Sequence, residues 1–226
     1  MEKLAALRNI MKERGLDCYI ITSSDAHVSE NVTAYWRTRE WLSGFTGSNG
    51  LAVITAEEAG LWTDGRYFIQ AELELKGSGI DMYKAGEPDV PTAKAFINDK
   101  LPSGSRIGFD GRTLTVDWFD ELKKTLKDKN ITFAYQEDLI DKLWTDRPPM
   151  SSKPVFEHEQ RFAGKCASEK LADVRKKMFE KKITAYMVST LDDIAWLLNI
   201  RGKDIPNTPV AFAYVLITEK EAHVFI

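Results

Sequence analysis

Leu4, Leu7, Arg8, Met11, Leu16 and Tyr19 return as Leu171, Val174, Arg175, Met178, Ile183 and Tyr186, from 4 to 171 and from 19 to 186 at one offset of 167 residues. A repeat of this kind restricts the chain to two units built on one plan. The correspondence resumes after small insertions: Trp41-Leu42 answers to Trp196-Leu197, Ala52-Val53-Ile54-Thr55 to Val215-Leu216-Ile217-Thr218, and Glu58-Ala59 to Glu221-Ala222. The second copy ends at Ile226, soon after the Glu221-Ala222 match. The pattern therefore predicts one full unit and the opening part of a second.

Length agrees with two units, because 226 residues exceed the usual single domain. Hydrophobic residues make up 43% of the chain, enough for two cores. The net charge of −3 supplies no basic face, which argues against nucleic acid and anionic lipid as partners. Cys18 and Cys166 are too few for a disulfide framework, and a reduced, cytoplasmic setting is expected. The N-terminus lacks an apolar signal core, and no apolar run approaches the roughly 18 residues of a membrane span.

Leu4, Leu7, Ile10 and Met11 predict a helix over residues 3–14, stopped by Gly15. Cys18–Thr22 reads as a buried strand, and the loop after it carries Asp25, His27 and Glu30. Strands are expected at 51–55 and 60–63, joined as a hairpin. A helix from about Gly65 to Lys76 would then be capped by Asp64. Further alternation follows: strands near 81–84, 106–110 and 131–135, with helices near 92–100 and 116–129. Such alternation predicts an α/β layered domain. Three prolines within Arg147–Pro154 exclude helix and strand there and mark a linker. The second unit should open with a helix over 168–182, a strand over 185–189 and a helix near 192–199.

Three places invite a functional reading. Gly44-Phe45-Thr46-Gly47-Ser48-Asn49-Gly50 has glycines at three-residue spacing, but it runs into a strand and has no lysine, unlike a phosphate loop. A tight turn with positive φ angles is the favoured reading. His27, His158 and His223 lie far apart without metal-ligand spacing, and His27 is expected to tie its loop to backbone. No nucleophile elbow is present and neither cysteine sits in an activating pattern. In Trp62-Thr63-Asp64-Gly65-Arg66-Tyr67-Phe68, the expected helix places Arg66 in the first turn, where the dipole disfavours a cation. Arg66 then needs a partner, either Asp64 in a structural salt bridge or a ligand carboxylate or carbonyl.

Asp25-Ala26-His27-Val28-Ser29-Glu30, Trp41 to Ser48, and Leu61 to Tyr67 resemble, in order, the N-terminal domain of the Xaa-Pro aminopeptidase family. Leu139 to Pro148 is similar to that family's domain junction, and Leu191 to Gly202 to the start of its second domain. The resemblance covers the whole chain and is specific to the three-domain branch of the aminopeptidase P family, within the creatinase and prolidase group. It implies an α/β creatinase N-terminal-type domain, a ribonuclease H-like layered mixed sheet with flanking helices, over residues 1–146. A linker over 147–164 and an incomplete second copy over 165–226 follow.

The resemblance also implies that a pita-bread catalytic domain with two divalent metal ions, usually manganese, lies outside these residues, so the fragment alone should hold no metal and be inactive. The parent would be a cytoplasmic homodimer, and the fragment a monomer. Proline-containing peptides would be the substrates, with the N-terminal residue released before a second-position proline. Arg66 occupies the place of the family's arginine associated with substrate, and Asp64 becomes its orienting residue. Asn31 and Asn49 depart from residues common in the family and bear on fine substrate preference. The alternative is a noncatalytic peptide- or protein-binding module of the same domain type, as in a histone chaperone. A creatine-acting relative fits less well, since that branch has one N-terminal domain.

Overall fold

Residues 18–21 alternate strictly between two cores, and that alternation organises the first unit. A computed structural model describes residues 1–226, which separate into two units: Met1–Ala26 with Ala34–Pro148, and His27–Thr33 with Pro149–Ile226. The first unit begins with α1 (Glu2–Glu13) and β1 (Cys18–Thr22), then a short 3-10 turn at Ala34–Trp36 and α2 (Thr38–Ser43). The hairpin β2 (Leu51–Thr55) and β3 (Ala59–Thr63) leads to α3 (Phe68–Glu74), β4 (Asp81–Lys84) and α4 (Ala93–Lys100). Next come β5 (Arg106–Phe109), α5 (Val116–Thr125), β6 (Thr132–Ala134) and α6 (Leu139–Leu143). The six strands form one sheet in the order β4-β3-β2-β1-β5-β6. The β2 strand runs antiparallel to both β1 and β3, whereas the β3–β4, β1–β5 and β5–β6 pairs are parallel.

Tyr19 and Ile21 point into a core with Leu4, Leu7 and Met11 of α1, Ala71 of α3, and Leu139 and Ile140 of α6. Cys18 and Ile20 point the other way, toward Phe96 and Ile97 of α4 and Leu122 of α5. The period-2 geometry of a strand forces this division. Each fully buried leucine or isoleucine contributes about 1.5–3 kcal/mol relative to exposure. The layered α/β expectation with a mixed sheet is met.

The second unit contains β7 (Phe156–Glu157), α7 (Gln160–Ala163), α8 (Ala167–Glu180), β8 (Ala185–Val188), α9 (Leu191–Leu198), β9 (Ile200–Arg201), β10 (Tyr214–Thr218) and β11 (Ala222–Phe225). The strand order is β11-β10-β8, with β7 and β9 as a separate pair. The stretch 147–164, read from the sequence as a linker, contains β7 and α7. Its residues from Pro149 onward, together with His27–Thr33, belong to the second unit. Residues 147–154 themselves carry neither helix nor strand.

The repeat holds at the level of individual bonds. Tyr19 stands opposite Ile54, and Ile54 opposite Ala59; likewise Tyr186 stands opposite Ile217, and Ile217 opposite Ala222. The Nε of Arg8 donates to Thr55 O at 2.9 Å, and that of Arg175 to Thr218 O at 3.0 Å. Lys3 donates to Trp41 O at 2.9 Å and lies 4.6 Å from its ring, while Lys170 does the same with Trp196 at 2.7 and 4.6 Å. The lysine pair shares the offset of 167 residues, and periodicity alone did not single it out. The copies differ around their tyrosines. The Tyr19 hydroxyl accepts from Leu139 N at 3.0 Å, beneath α6, whereas Tyr186 is exposed.

Candidate functional site

The segment Thr63–Phe68 leaves β3 and turns before α3 begins, and a carboxylate decides where. Asp64 was expected to cap a helix starting near Gly65, but α3 begins at Phe68 with Tyr67 as its N-terminal flank and no side-chain cap. Asp64 instead accepts from the backbone N of Arg66 at 3.1 Å, and Tyr67 N donates to Asp64 O at 3.0 Å. This local turn competes with the first helical turn and delays the helix. Arg66 thus precedes α3, so the unfavourable dipole argument built on a first-turn position does not apply.

Arg66 is 68% exposed in its side chain, yet it is held firmly along one edge. Its Nε donates to Asp64 Oδ1 at 2.9 Å and its Nη2 to Oδ2 at 2.8 Å, the paired geometry a guanidinium plane allows. Asn49 Nδ2 donates to the same Oδ2 at 2.5 Å. The bonds from Arg66, then that from Asn49, hold the Asp64 carboxyl well below the usual carboxylate range. Asp64 in return raises the guanidinium. A carboxylate depressed below its unfolded value near 3.9 stabilises the fold above that pH and loses the contribution as pH falls through the folded value. An NMR acid titration should therefore place the Asp64 midpoint below that of an aspartate side chain in an unstructured peptide. Coincident midpoints would contradict the clamp.

The loop facing Arg66 is built on a buried cation. Arg39 of α2 is 4% exposed. Its Nη1 donates to Phe45 O at 2.7 Å, its Nη2 to Gly47 O, and its Nε to Ser23 Oγ at 2.5 Å, while its guanidinium lies 4.7 Å from the Phe45 ring. Burial pushes this guanidinium down to about 10, leaving it charged at neutral pH. Glu74 of α3 accepts from Thr46 N at 2.7 Å and from Thr46 Oγ1 at 2.8 Å. Arg39 has no signature in the sequence, since an arginine beside Glu40 in a short helix looks like any surface ion pair.

The glycines of this loop serve two purposes. Gly44 ends α2 at φ 77°, as a left-handed stop should. The positive φ expected throughout occurs there alone: at Gly47 the absent Cβ leaves room for Tyr67, whose Cδ1 would lie 2.8 Å from it, and for Phe45. Gly50 similarly makes way for Arg39, whose Cδ would be 3.2 Å from a Cβ. Ser48 and the Tyr67 hydroxyl share a 2.6 Å hydrogen bond, and Arg66 lies 5.1 Å from the Tyr67 ring.

The sequence cluster Asp25, His27, Glu30 divides between the units. Asp25 is fully buried in the first. His27 stacks on Tyr214 at 4.4 Å, and its Nδ1–H donates to Ser189 O at 2.9 Å, tying the loop to backbone. His27 and Glu30 line a cavity of about 330 Å³ with Thr190 and Asp192. His158 stacks on Phe162, and His223 meets Glu221. The chain has no group of three His, Cys, Asp or Glu side chains placed to hold a metal ion, and no helix long and apolar enough to cross a membrane.

Residues 3–143 match a family model described as the creatinase/prolidase N-terminal domain, and residues 146–226 match a second model of that description. Aminopeptidase P2 of Arabidopsis thaliana is 42% identical over 230 residues, covering 100% of this chain and 32% of the relative. A probable Xaa-Pro aminopeptidase P of Sordaria macrospora is 41% identical over 228 residues, 37% of its length. The crystal structure of X-prolyl aminopeptidase from Caenorhabditis elegans, described as a cytosolic enzyme with a di-nuclear active site, superposes with a TM-score of 0.93 at 40% identity. It covers all of this chain and 38% of that one. The chain thus spans about a third of the length of these relatives.

Proposed function

Because the chain belongs to the creatinase/prolidase N-terminal domain family, we propose that it is the front portion of a cytoplasmic metalloaminopeptidase releasing the N-terminal residue from peptides with proline second. Full coverage of these residues by the X-prolyl aminopeptidase structure is the observation that carries this reading. In the proposed enzyme the first unit walls the substrate cleft and excludes long or folded chains, and Arg66 reaches the peptide. A guanidinium fixed along its Nε–Nη2 edge keeps Nη1 for an acceptor oxygen, so a carbonyl or carboxylate of the peptide is the group it suits.

The two divalent ions of such an enzyme, manganese in this reading, would activate water and polarise the scissile carbonyl. The residues described above do not assemble a donor set for them, so in this proposal the metal ligands lie outside residues 1–226. The work assigned to this chain is binding and orientation. The test is turnover of Ala-Pro-Ala by the polypeptide that contains these residues. Release of alanine, abolished by a chelator, is expected; binding of the peptide without release would favour the peptide-binding module instead.

A further inference from the structure

Asp64 receives four donors, and one of them comes from outside its own turn. Arg66 N and Nε meet Oδ1 at 3.1 and 2.9 Å; Arg66 Nη2 and Asn49 Nδ2 meet Oδ2 at 2.8 and 2.5 Å. We propose that Asn49 is a positioning residue that fixes the plane of the Arg66 guanidinium and so decides which substrate group it meets. The proposal rests on the substrate reading of Arg66.

An exposed Asp-Arg pair two residues apart can swing together about the Asp64 side chain, because both partners hang from the same turn. Asn49 grips the carboxylate from a different segment. That segment is anchored: the Thr63 hydroxyl donates to Asn49 O at 2.6 Å, Arg39 holds the carbonyls of Phe45 and Gly47, and β2 follows directly at Leu51. Three consecutive residues address the Arg66 turn in different ways. Gly47 leaves space for the Tyr67 ring, Ser48 holds its hydroxyl, and Asn49 holds Asp64.

A specificity follows. With the carboxylate taken up by four donors, the outward-facing group is the guanidinium with Nη1 and the outer hydrogen of Nη2. This donor edge selects carbonyl or carboxylate oxygens of a peptide and gives no anionic partner to its ammonium terminus. Where a small residue replaces Asn49, the outer oxygen of Asp64 keeps a lone pair for an N–H donor.

The experiment compares Asn49→Ala and the near-isosteric, uncharged Asn49→Leu, which keeps the volume but loses the donor. Asn49 is exposed, so both variants should fold, with the α3 amide signals unmoved as the check. In the 226-residue chain, the Arg66 Nε–H should exchange about tenfold faster in both variants, as expected on losing one charge-assisted bond to the clamp, and in Asn49→Ala the Asp64 midpoint should rise. In the full-length protein, KM for Ala-Pro-Ala should rise about threefold to tenfold with little change in kcat, the sign of lost orientation of a binding group. Wild-type Nε–H exchange in both variants overturns the proposal; so does loosening in Asn49→Ala alone, which would make Asn49 a space-filler. The substrate reading fails separately, if Arg66→Ala leaves peptide turnover unchanged whatever Asn49 does.

Discussion

Replacing Arg39 with methionine should lower the unfolding free energy of the first unit by about 3–5 kcal/mol, the cost of leaving three acceptors of a buried polar network without their donor. The side chain is 4% exposed, and its three bonds reach Ser23 Oγ, Phe45 O and Gly47 O. Methionine fills the volume but leaves these acceptors facing an apolar group, each at a penalty of about 1–3 kcal/mol before relaxation. Lysine should rescue only part of the loss, because one ammonium cannot reproduce a fork that addresses two carbonyls at once. Urea denaturation followed by circular dichroism would read the change against a total stability of about 5–15 kcal/mol. An unshifted midpoint would mean that the cation is hydrated and that the loop is held by something else. The same substitution should loosen residues 45–50 and, through Asn49, the Arg66 clamp.

Replacing Arg66 with alanine should leave stability almost untouched and reduce kcat/KM for a peptide with second-position proline by about 10- to 100-fold in the full-length protein, with metal content unchanged. The magnitude follows from a charge-assisted hydrogen bond worth about 1.5–3 kcal/mol, at 1.36 kcal/mol per tenfold. Stability is spared because the Arg66–Asp64 pair is exposed, and such pairs contribute little. Arg66→Lys should behave nearly as poorly as alanine. An ammonium cannot chelate both oxygens of Asp64 while offering a separate edge to substrate. A fall in kcat and kcat/KM together would place the contact in the transition state, whereas a rise in KM alone would place it in binding.

Much of the fold was legible before any coordinates. The helical spacing of Leu4, Leu7 and Met11 and its return at Leu171, Val174 and Met178 fixed the repeated helix-strand opening, and the α1–β1 and α8–β8 pairs follow it. The hairpin of Thr55 and Glu58, echoed by Thr218 and Glu221, was equally visible in the order of residues. What escaped was decided by competition between local bonds. Asp64 could cap a helix or close a turn on Arg66 N; sequence preference allows both, and the chelate with the Arg66 side chain favours the turn. The short β7–β9 pairing of Phe156 with Arg201 depends on residues distant in sequence, so no local pattern announces it.

The candidate site was half legible. Asp64 and Arg66 were named from their spacing and from the resemblance of Leu61 to Tyr67 to a known motif. Asn49, which bonds Asp64, lies 15 residues earlier in the chain; Ser48 beside it bonds Tyr67, and Arg39 supports the loop that carries both. Nothing in the order of residues says that a glycine-rich loop will lie against that turn. A buried arginine among polar neighbours also has no signature, since its partners are carbonyls that every residue carries.

The most direct measurement is the kcat/KM of the full-length protein for Ala-Pro-Ala against Ala-Ala-Ala, in wild type and Arg66→Ala side by side. The substrate role of Arg66 predicts turnover of the proline peptide in preference to the alanine peptide, and a loss of about 10- to 100-fold in the variant with metal content intact. Equal kcat/KM in the two proteins, or no turnover of the proline peptide by either, would contradict it.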